Sequence, residues 1–547
     1  MKLSLALISL ALAATSYAAP VTKKCGGGQK PPHHGKKNNM TILATNDIHA
    51  HFDEFNLGGT DCRPKDIAAN NCVGGAARIA HLVQKYRAER DNVVLLDAGD
   101  QFQGTLFFNV FGGQKSVEIM NELKYDAMAI GNHEFDKGVE YAAQFFKNLT
   151  FPVVSSNIDF KKGDGHILKE AGVKPYTILR DYGVGVIGYI TNTTASIATG
   201  ARNTSFYNPV PIVQRYIDEL HRKGYRRVIA VSHNGYADDK YLAENTRGLS
   251  LIVGGHSHSL LLNNASLPGV VGPYPTSVTN LDGKPTYIIQ HHRYGDYLGH
   301  VDLEWDANTD ELLNLSGEAI RLDAAIPKDN ATAIKVAQWR EAFKPMTERI
   351  VGQADGPFPV EGCGVRECAL GDLVADSMLF SAPSADIAFT NAGGLRAAIP
   401  SGPVTYADVI TVLPFGNTIN IFSYTGAQVL ALLDRTADLT GADGKKMLST
   451  PQWGGVHFTY DVSKPAGSRI TTATLLKDGS AIDPAKTYVI ATNDFILGGG
   501  DNIISPVAGP AGEVMADALA TYLGTKPSFK AEIQGRWGPV ANTTATH

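Results

Sequence analysis

Cysteine is scarce in this chain, five residues in 547. No paired C-x-x-C occurs, so a cysteine-based zinc site lacks its characteristic ligand spacing. Basic charge is not in excess: 49 Lys and Arg stand against 54 Asp and Glu, for a net charge of −5. That balance gives no electrostatic case for binding a nucleic-acid polymer or an anionic membrane. Any phosphate the protein contacts must meet local cations, meaning metals or individual arginines. Beyond the first residues no apolar run is long enough to cross a bilayer. The C-terminal GRWGPVANTTATH lacks the hydrophobic tail of a lipid-anchor signal, so no membrane anchor is expected. No G-x-S-x-G is present either, which removes one common serine-nucleophile motif.

What is present begins with MKLSLALISLALAATSYAAP. Residues 1–18 read as a secretory signal peptide, with Lys2 as the n-region and Ser16-Tyr17-Ala18 as a small-x-small cleavage site. Residues 19–40, rich in Gly, Lys and His, are expected to be disordered. The sequons at Asn39, Asn148, Asn192, Asn203, Asn264, Asn314, Asn330 and Asn542 agree with export. In an oxidising compartment Cys62 with Cys72, and Cys363 with Cys368, are read as two local disulfides, leaving Cys25 over. The expectation is a secreted, extracellular glycoprotein, as a monomer or homodimer.

A chain of this length exceeds one hydrophobic core. From Thr41 to about 326, apolar strand-like runs (TILATND, NVVLLDAGD, YDAMAIGNHEFD, FPVVSSNID, VGVIGYIT, RRVIAVSHNG, LSLIVGGHSH) alternate with helical stretches such as Gly75 to Arg90 and Pro211 to Lys223. That pattern predicts an α/β domain with strands buried on both faces. The run TYIIQHHRYGDYLGHVDLEWD alternates apolar and polar residues and suggests a second, partly antiparallel sheet. Residues 327–353 read as a linker helix with Ile334, Ala337, Trp339 and Phe343 on its apolar positions, kinked or ended by Pro345. Residues 354–540 form a second domain, with helices expected at Leu370 to Phe380, Ala427 to Ala437 and Gly512 to Leu523.

The first domain ends strand after strand in polar signatures: Asp47-x-His49, Gly99-Asp100, Gly131-Asn132-His133-Glu134, Asp136, Ser232-His233 and Gly255-His256-Ser257-His258. Open α/β sheets bind ligands at the carboxyl ends of their strands. Carboxylate, carboxamide and imidazole groups placed there suit a pair of divalent metals. One carboxylate must bridge two such cations, and Asp100, beside a glycine, is the best candidate. A lone Asp after a strand is ordinarily a cap or turn residue. Capping does not explain this whole set on successive strands.

These residues resemble the signature of the calcineurin-like metallophosphoesterase superfamily, and the second domain resembles the C-terminal domain of the 5′-nucleotidase family. The resemblance covers about Thr41 to Trp537. It implies a four-layer α-β-β-α metallophosphoesterase domain joined by the linker helix to a second α/β, substrate-binding domain. It implies that Asp47, His49, Asp100 and His258 hold one metal and that Asp100, Asn132, His233 and His256 hold the other, as Zn or Mn. His133 is then a catalytic residue that stabilises phosphoryl oxygens and leaving group, with Asp136 fixing its other ring nitrogen. The nucleophile is a metal-bound hydroxide attacking phosphorus in line, without a phosphoenzyme.

The resemblance further implies Arg396 at the substrate phosphate and Asn391 near the nucleoside. Phe415 and Phe495 sandwich the base, and Asp501 meets the ribose hydroxyls. Family members carry a second phosphate arginine where this chain has Gly364. Either Arg366 replaces it or one phosphate contact is missing. With metals and clamp on different domains, rotation about the linker is implied. The expected function is hydrolysis of nucleoside 5′-monophosphates such as AMP. The same scaffold would also carry a nucleotide-sugar or nucleoside di- or triphosphate hydrolase, a 2′,3′-cyclic phosphodiesterase/3′-nucleotidase, or a catalytically silent nucleotide-binding protein.

Overall fold

The computed structural model describes residues 37–540. The expected signal peptide, Cys25, Asn542 and most of the segment expected to be disordered lie outside the described residues. Asn39 and Met40 fall in that segment but open the first strand, Asn39–Thr45, paired with Glu304 and Leu303. Met40 is fully buried, and this burial together with the pairing overrides the polar composition that precedes it.

Two six-stranded sheets build the first domain. One runs from edge to edge through Leu312–Arg321, Tyr297–Trp305, Asn39–Thr45, Val93–Asp97, Ala127–Ala129 and Val153–Val154. The other runs through Thr276–Thr279, Pro285–Ile289, Leu251–Val253, Arg227–His233, Val184–Ile190 and Tyr176–Leu179. Central strands pair in parallel in both, with antiparallel strands toward the edges.

Side chains alternate across each strand. Ile42, Ala44, Val94 and Leu96 join a core with Val186, Ile229 and Val231 of the other sheet. Leu43, Leu95 and Met128 turn the opposite way and meet Ile79, Leu82, Ile119 and Phe145 of the helices Ala76–Glu89, Gln114–Leu123 and Val139–Asn148. The helix Pro209–Arg222 brings Val213, Ile217 and Leu220 to the second sheet. The layers are thus helix, sheet, sheet, helix, as the resemblance implied.

The alternating run after residue 285 divides between the two sheets. Pro285–Ile289 lies parallel to Leu251–Val253, while Tyr297–Trp305 crosses to lie antiparallel to Asn39–Thr45. Alternation reports a half-buried strand but not which sheet receives it.

The helix Asn330–Arg340 is capped by the Asp329 side chain, which accepts from the Thr332 N–H at 2.9 Å. It buries Val336 and Trp339, followed by Phe343, in the first domain's core. Ile334, expected on the apolar face, is 61% exposed, because the inward face follows 332, 336, 339 and 343. Pro345 sits in the first turn of a separate short helix, Lys344–Glu348, where its missing N–H costs nothing. The strand Ile350–Ala354, part of the expected linker, pairs with Gly402–Thr405.

The second domain centres on a five-stranded sheet ordered Pro451–Gly454, Ile387–Asn391, Thr487–Asn493, Thr418–Thr425 and Ala511–Val514. Helices Ala369–Ser381 and Met515–Leu523 share one core and Gly426–Thr436 another. The last helix begins three residues later than expected, at Met515, because Ala511–Val514 pairs with the sheet. Both expected disulfides, Cys62–Cys72 and Cys363–Cys368, are formed.

The two sheets approach closely at Gly188, where an added Cβ would lie 2.1 Å from the Val154 carbonyl oxygen. Gly188→Ala should therefore force the sheets apart and destabilise the chain by about 1–3 kcal/mol. A lower denaturant midpoint at unchanged slope would register this, and an unchanged midpoint would refute it.

Candidate active site

The loops that follow the parallel strands meet at one edge. The Asp47, His49 and Ala50 N–H groups donate to the carbonyls of Gly99, Asp100 and Gln101, each at 3.0 Å. Five of the seven candidate ligands hold left-handed backbone: Asp47 (φ 50°), His49 (48°), Asp100 (58°), His256 (77°) and His258 (50°). Such residues cost roughly 1–3 kcal/mol each and persist only where surrounding bonds enforce them. Gly131 permits the closest approach, since a Cβ there would lie 2.1 Å from Asp100 Oδ1.

Asp100 is the hub. Its Oδ2 lies 3.0 Å from His233 Nε2, 3.7 Å from His49 Nε2 and 3.9 Å from His133 Nε2. Asp47 Oδ1 lies 3.4 Å from His258 Nε2 and 3.9 Å from His49 Nε2. Asn132 Oδ1 is 3.2 Å from His233 Nε2, and the His233 and His256 rings are 5.1 Å apart. Each of three groups (Asp47, His49 and His258; Asp47, Asp100 and His233; His49, Asp100 and His133) offers donor atoms within 4.8 Å of one another.

Backbone carbonyls fix the imidazole tautomers. His49 Nδ1 is 2.9 Å from the Phe102 carbonyl and His233 Nδ1 is 2.7 Å from that of Ala98. With Nδ1–H donating outward, each Nε2 faces the centre. Burial, then the Arg396 charge, hold His49 and His258 well below the ordinary histidine range. Burial, then His233, lower His256 to about 4. These are neutral imidazoles ready to ligate. Burial opposes protonation of His233 too, but the adjacent Asp100 carboxylate prevails and raises it to about 10. Convergent oxygen and nitrogen donors of this kind fit divalent metals of borderline character.

His133 donates through Nδ1–H to Asp136 Oδ2 at 2.8 Å. Burial lowers its pKa, but Asp136 and then Asp100 outweigh that and raise it. Glu134 carries a role the sequence did not disclose. Its buried carboxylate accepts from the N–H groups of Gly131, Gln101, Asp100 and Phe102 at 2.7–3.2 Å. It ties the Gly99-Asp100 and Gly131-Asn132 loops together.

Between the domains lies a cavity of about 460 Å³. The first domain lines it with Gln103, Asn132, His133, Asp136 and His256, and the second with Asn391, Arg396, Phe415, Phe495 and Asp501. Arg396 Nη2 donates to His49 Nε2 at 3.2 Å, and its guanidinium lies 5.7 Å from the Phe415 ring centre. Asn391 Nδ2 donates to Asp501 Oδ2 at 2.7 Å, and its Oδ1 accepts from Asn493 at 3.0 Å. Arg366 is not among the residues that line this cavity. Gln452 holds the Cys363 and Arg366 carbonyls at 2.7 and 2.8 Å, and the disulfide loop folds the exposed guanidinium over Gly362.

Comparison with known proteins matches this division. A family model for calcineurin-like phosphoesterase covers residues 40–260, and one for the 5′-nucleotidase C-terminal domain covers residues 350–508. Human 5′-nucleotidase is 30% identical over 530 residues, covering 91% of this chain and 90% of that protein. The chain belongs to the 5′-nucleotidase family. Bovine 5′-nucleotidase is 32% identical over 84% of this chain and 83% of its own length. The crystal structure of a 5′-nucleotidase precursor from Thermus thermophilus superposes with a TM-score of 0.82 at 33% identity, covering 92% of this chain and all of that one. This 5′-nucleotidase-family chain is a metal-dependent phosphoric monoester hydrolase.

The His133–Asp136 contact predicts a shift. In metal-free protein Asp136→Asn should lower the His133 pKa, because the nearest anion raising it is removed. Histidine NMR titration reads this directly, and an unmoved titration would refute the pairing.

Proposed function

We propose that this chain is a secreted 5′-nucleotidase that converts nucleoside 5′-monophosphates such as AMP to nucleoside and phosphate. The observation that carries the reading is the shared cavity, with His133 and Asn132 on one wall and Arg396, Asn391, Phe415, Phe495 and Asp501 on the other. A nucleotide placed there has its phosphate toward the metal ligands and its base between two phenyl rings.

Asp47, His49, Asp100 and His258 would hold one cation, and Asp100, Asn132, His233 and His256 the other, as Zn or Mn. When bound, the pair supplies Lewis-acid charge and makes a water acidic enough to attack near neutral pH. Arg396 binds the phosphoryl oxygens with a charge-assisted contact. His133, oriented by Asp136, whose carboxylate favours its protonated form, donates toward the phosphoryl oxygens and the departing 5′-oxygen. The water oxygen joins phosphorus in line as the bond to the 5′-oxygen breaks. Phe415 and Phe495 stack on the base with little selectivity, because every base has a π-face. Asp501, held by Asn391, accepts from the ribose hydroxyls.

Export is supported by the two disulfides and by the exposed positions of Asn39, Asn148, Asn192, Asn203, Asn264, Asn314 and Asn330. No helix among the described residues is long and apolar enough to cross a membrane.

Phosphate release from AMP, UDP-glucose and cyclic AMP, with and without chelator, tests the reading. AMP should be the preferred substrate, chelator should abolish turnover, and Zn or Mn should restore it. Preference for either other substrate would reassign the reaction. Acid offers a second test. Burial pushes the Asp501 carboxyl up to about 6, so it gains a proton as pH falls through that value and loses its acceptor role. KM for AMP should rise below about pH 6 in the wild type, and Asp501→Asn should show a raised KM without that step. A step that survives in the variant would assign it to another group.

A further inference from the structure

Tyr294 lies in the turn between Pro285–Ile289 and Tyr297–Trp305, outside every motif of the site. It is 3% exposed and holds left-handed backbone at φ 62°. Its N–H donates to the Asp47 carbonyl at 2.7 Å. Its ring stacks on His51 at 3.9 Å and 13°, and meets His49 and His258 edge-on at 5.8 and 6.0 Å. Tyr294 is therefore part of the ledge that carries Asp47, His49 and His258.

Its hydroxyl reaches off that ledge into the other domain, donating to the Arg396 carbonyl oxygen at 2.7 Å. Nearby, the Ala398 N–H donates to the Gly58 carbonyl at 2.9 Å, so the chain leaving Arg396 is fastened to the first domain at two points. The Arg396 N–H is fastened to its own domain, at the Val412 carbonyl 2.9 Å away. The arginine backbone is thus slung between the two halves of the site.

We propose that Tyr294 is a positioning residue for the substrate phosphate: its hydroxyl fixes the Arg396 backbone against the Asp47–His49 ledge and so sets where the guanidinium meets the phosphoryl group. This rests on the reading that Arg396 binds that phosphate. A long side chain on an unfastened loop would lose backbone and rotamer freedom on engaging substrate, and the tether removes part of that loss beforehand.

Tyr294→Phe keeps the ring, its stack on His51 and the backbone, and removes only the donor. It should lower kcat/KM for AMP about three- to tenfold, the worth of one neutral hydrogen bond. Metal content should be unchanged, and p-nitrophenyl phosphate should suffer equally, since the bond acts at the phosphate and not at the base. In an Arg396→Ala background the same substitution should cost nothing. Loss of metal, an equal loss in both backgrounds, or no loss in the wild type would overturn the proposal. If Arg396→Ala itself leaves turnover intact, the phosphate reading of Arg396 falls, and this inference with it.

Discussion

A single carboxylate governs the geometry of the chemical half of this protein. Asp100 Oδ2 stands within 4 Å of the ring nitrogens of His49, His133 and His233, which come from three separate strand ends. Burying an anion there is tolerable only because positive charge always accompanies it. Beside it, the His233 imidazole, raised to about 10 by that same carboxylate, supplies compensating charge. The face-to-face sheets exist, functionally, to bring those strand ends to one point. Glu134 holds the loops there with four backbone hydrogen bonds.

The second domain completes the site from across the cleft, and its grip on the first is local. Arg63 pairs with Asp408, Lys65 donates to the Ser401 carbonyl, Ala398 pairs with Gly58 and Arg202 donates to the Gly498 carbonyl. Two of these contacts come from the loop closed by Cys62–Cys72. That disulfide stiffens a surface that faces the partner domain, while the linker helix Asn330–Arg340 is bedded in the first domain's core. The connection between the halves is accordingly short, made of the Lys344–Glu348 helix and the Ile350–Ala354 strand.

Much of this could be read from the chain alone, for a definite reason. Each candidate ligand follows an apolar run, so the period of the strand and the position of the polar residue announce each other. Asp47, Asp100, Asn132, His233 and His256 were legible in that way, and the four-layer order followed from the family they resemble. What stayed hidden depends on groups without a sequence signature. The Phe102 and Ala98 carbonyls fix two imidazoles, yet a backbone carbonyl is common to every residue. Glu134 sat within a recognised motif, but its task is to collect N–H groups from two loops, which only folding brings together. Tyr294 could not be singled out because an alternating strand pattern does not say that its turn passes beside Asp47. Arg366 differs in another way: its proximity in sequence to Gly364 suggested a substitute, while the closed disulfide loop holds its guanidinium over Gly362.

The left-handed backbone of the ligands narrows which mutations this centre can survive. Among side-chain-bearing residues, Asp, Asn and His enter that conformation most readily. They are also types suited to holding divalent metals. Backbone geometry and coordination chemistry therefore select the same short alphabet at Asp47, His49, Asp100, His256 and His258. Exchanges within that alphabet retune the metal at small conformational cost, whereas a glutamate or a β-branched residue is penalised by the backbone before its chemistry is ever tried. Drift at these positions has few directions open to it.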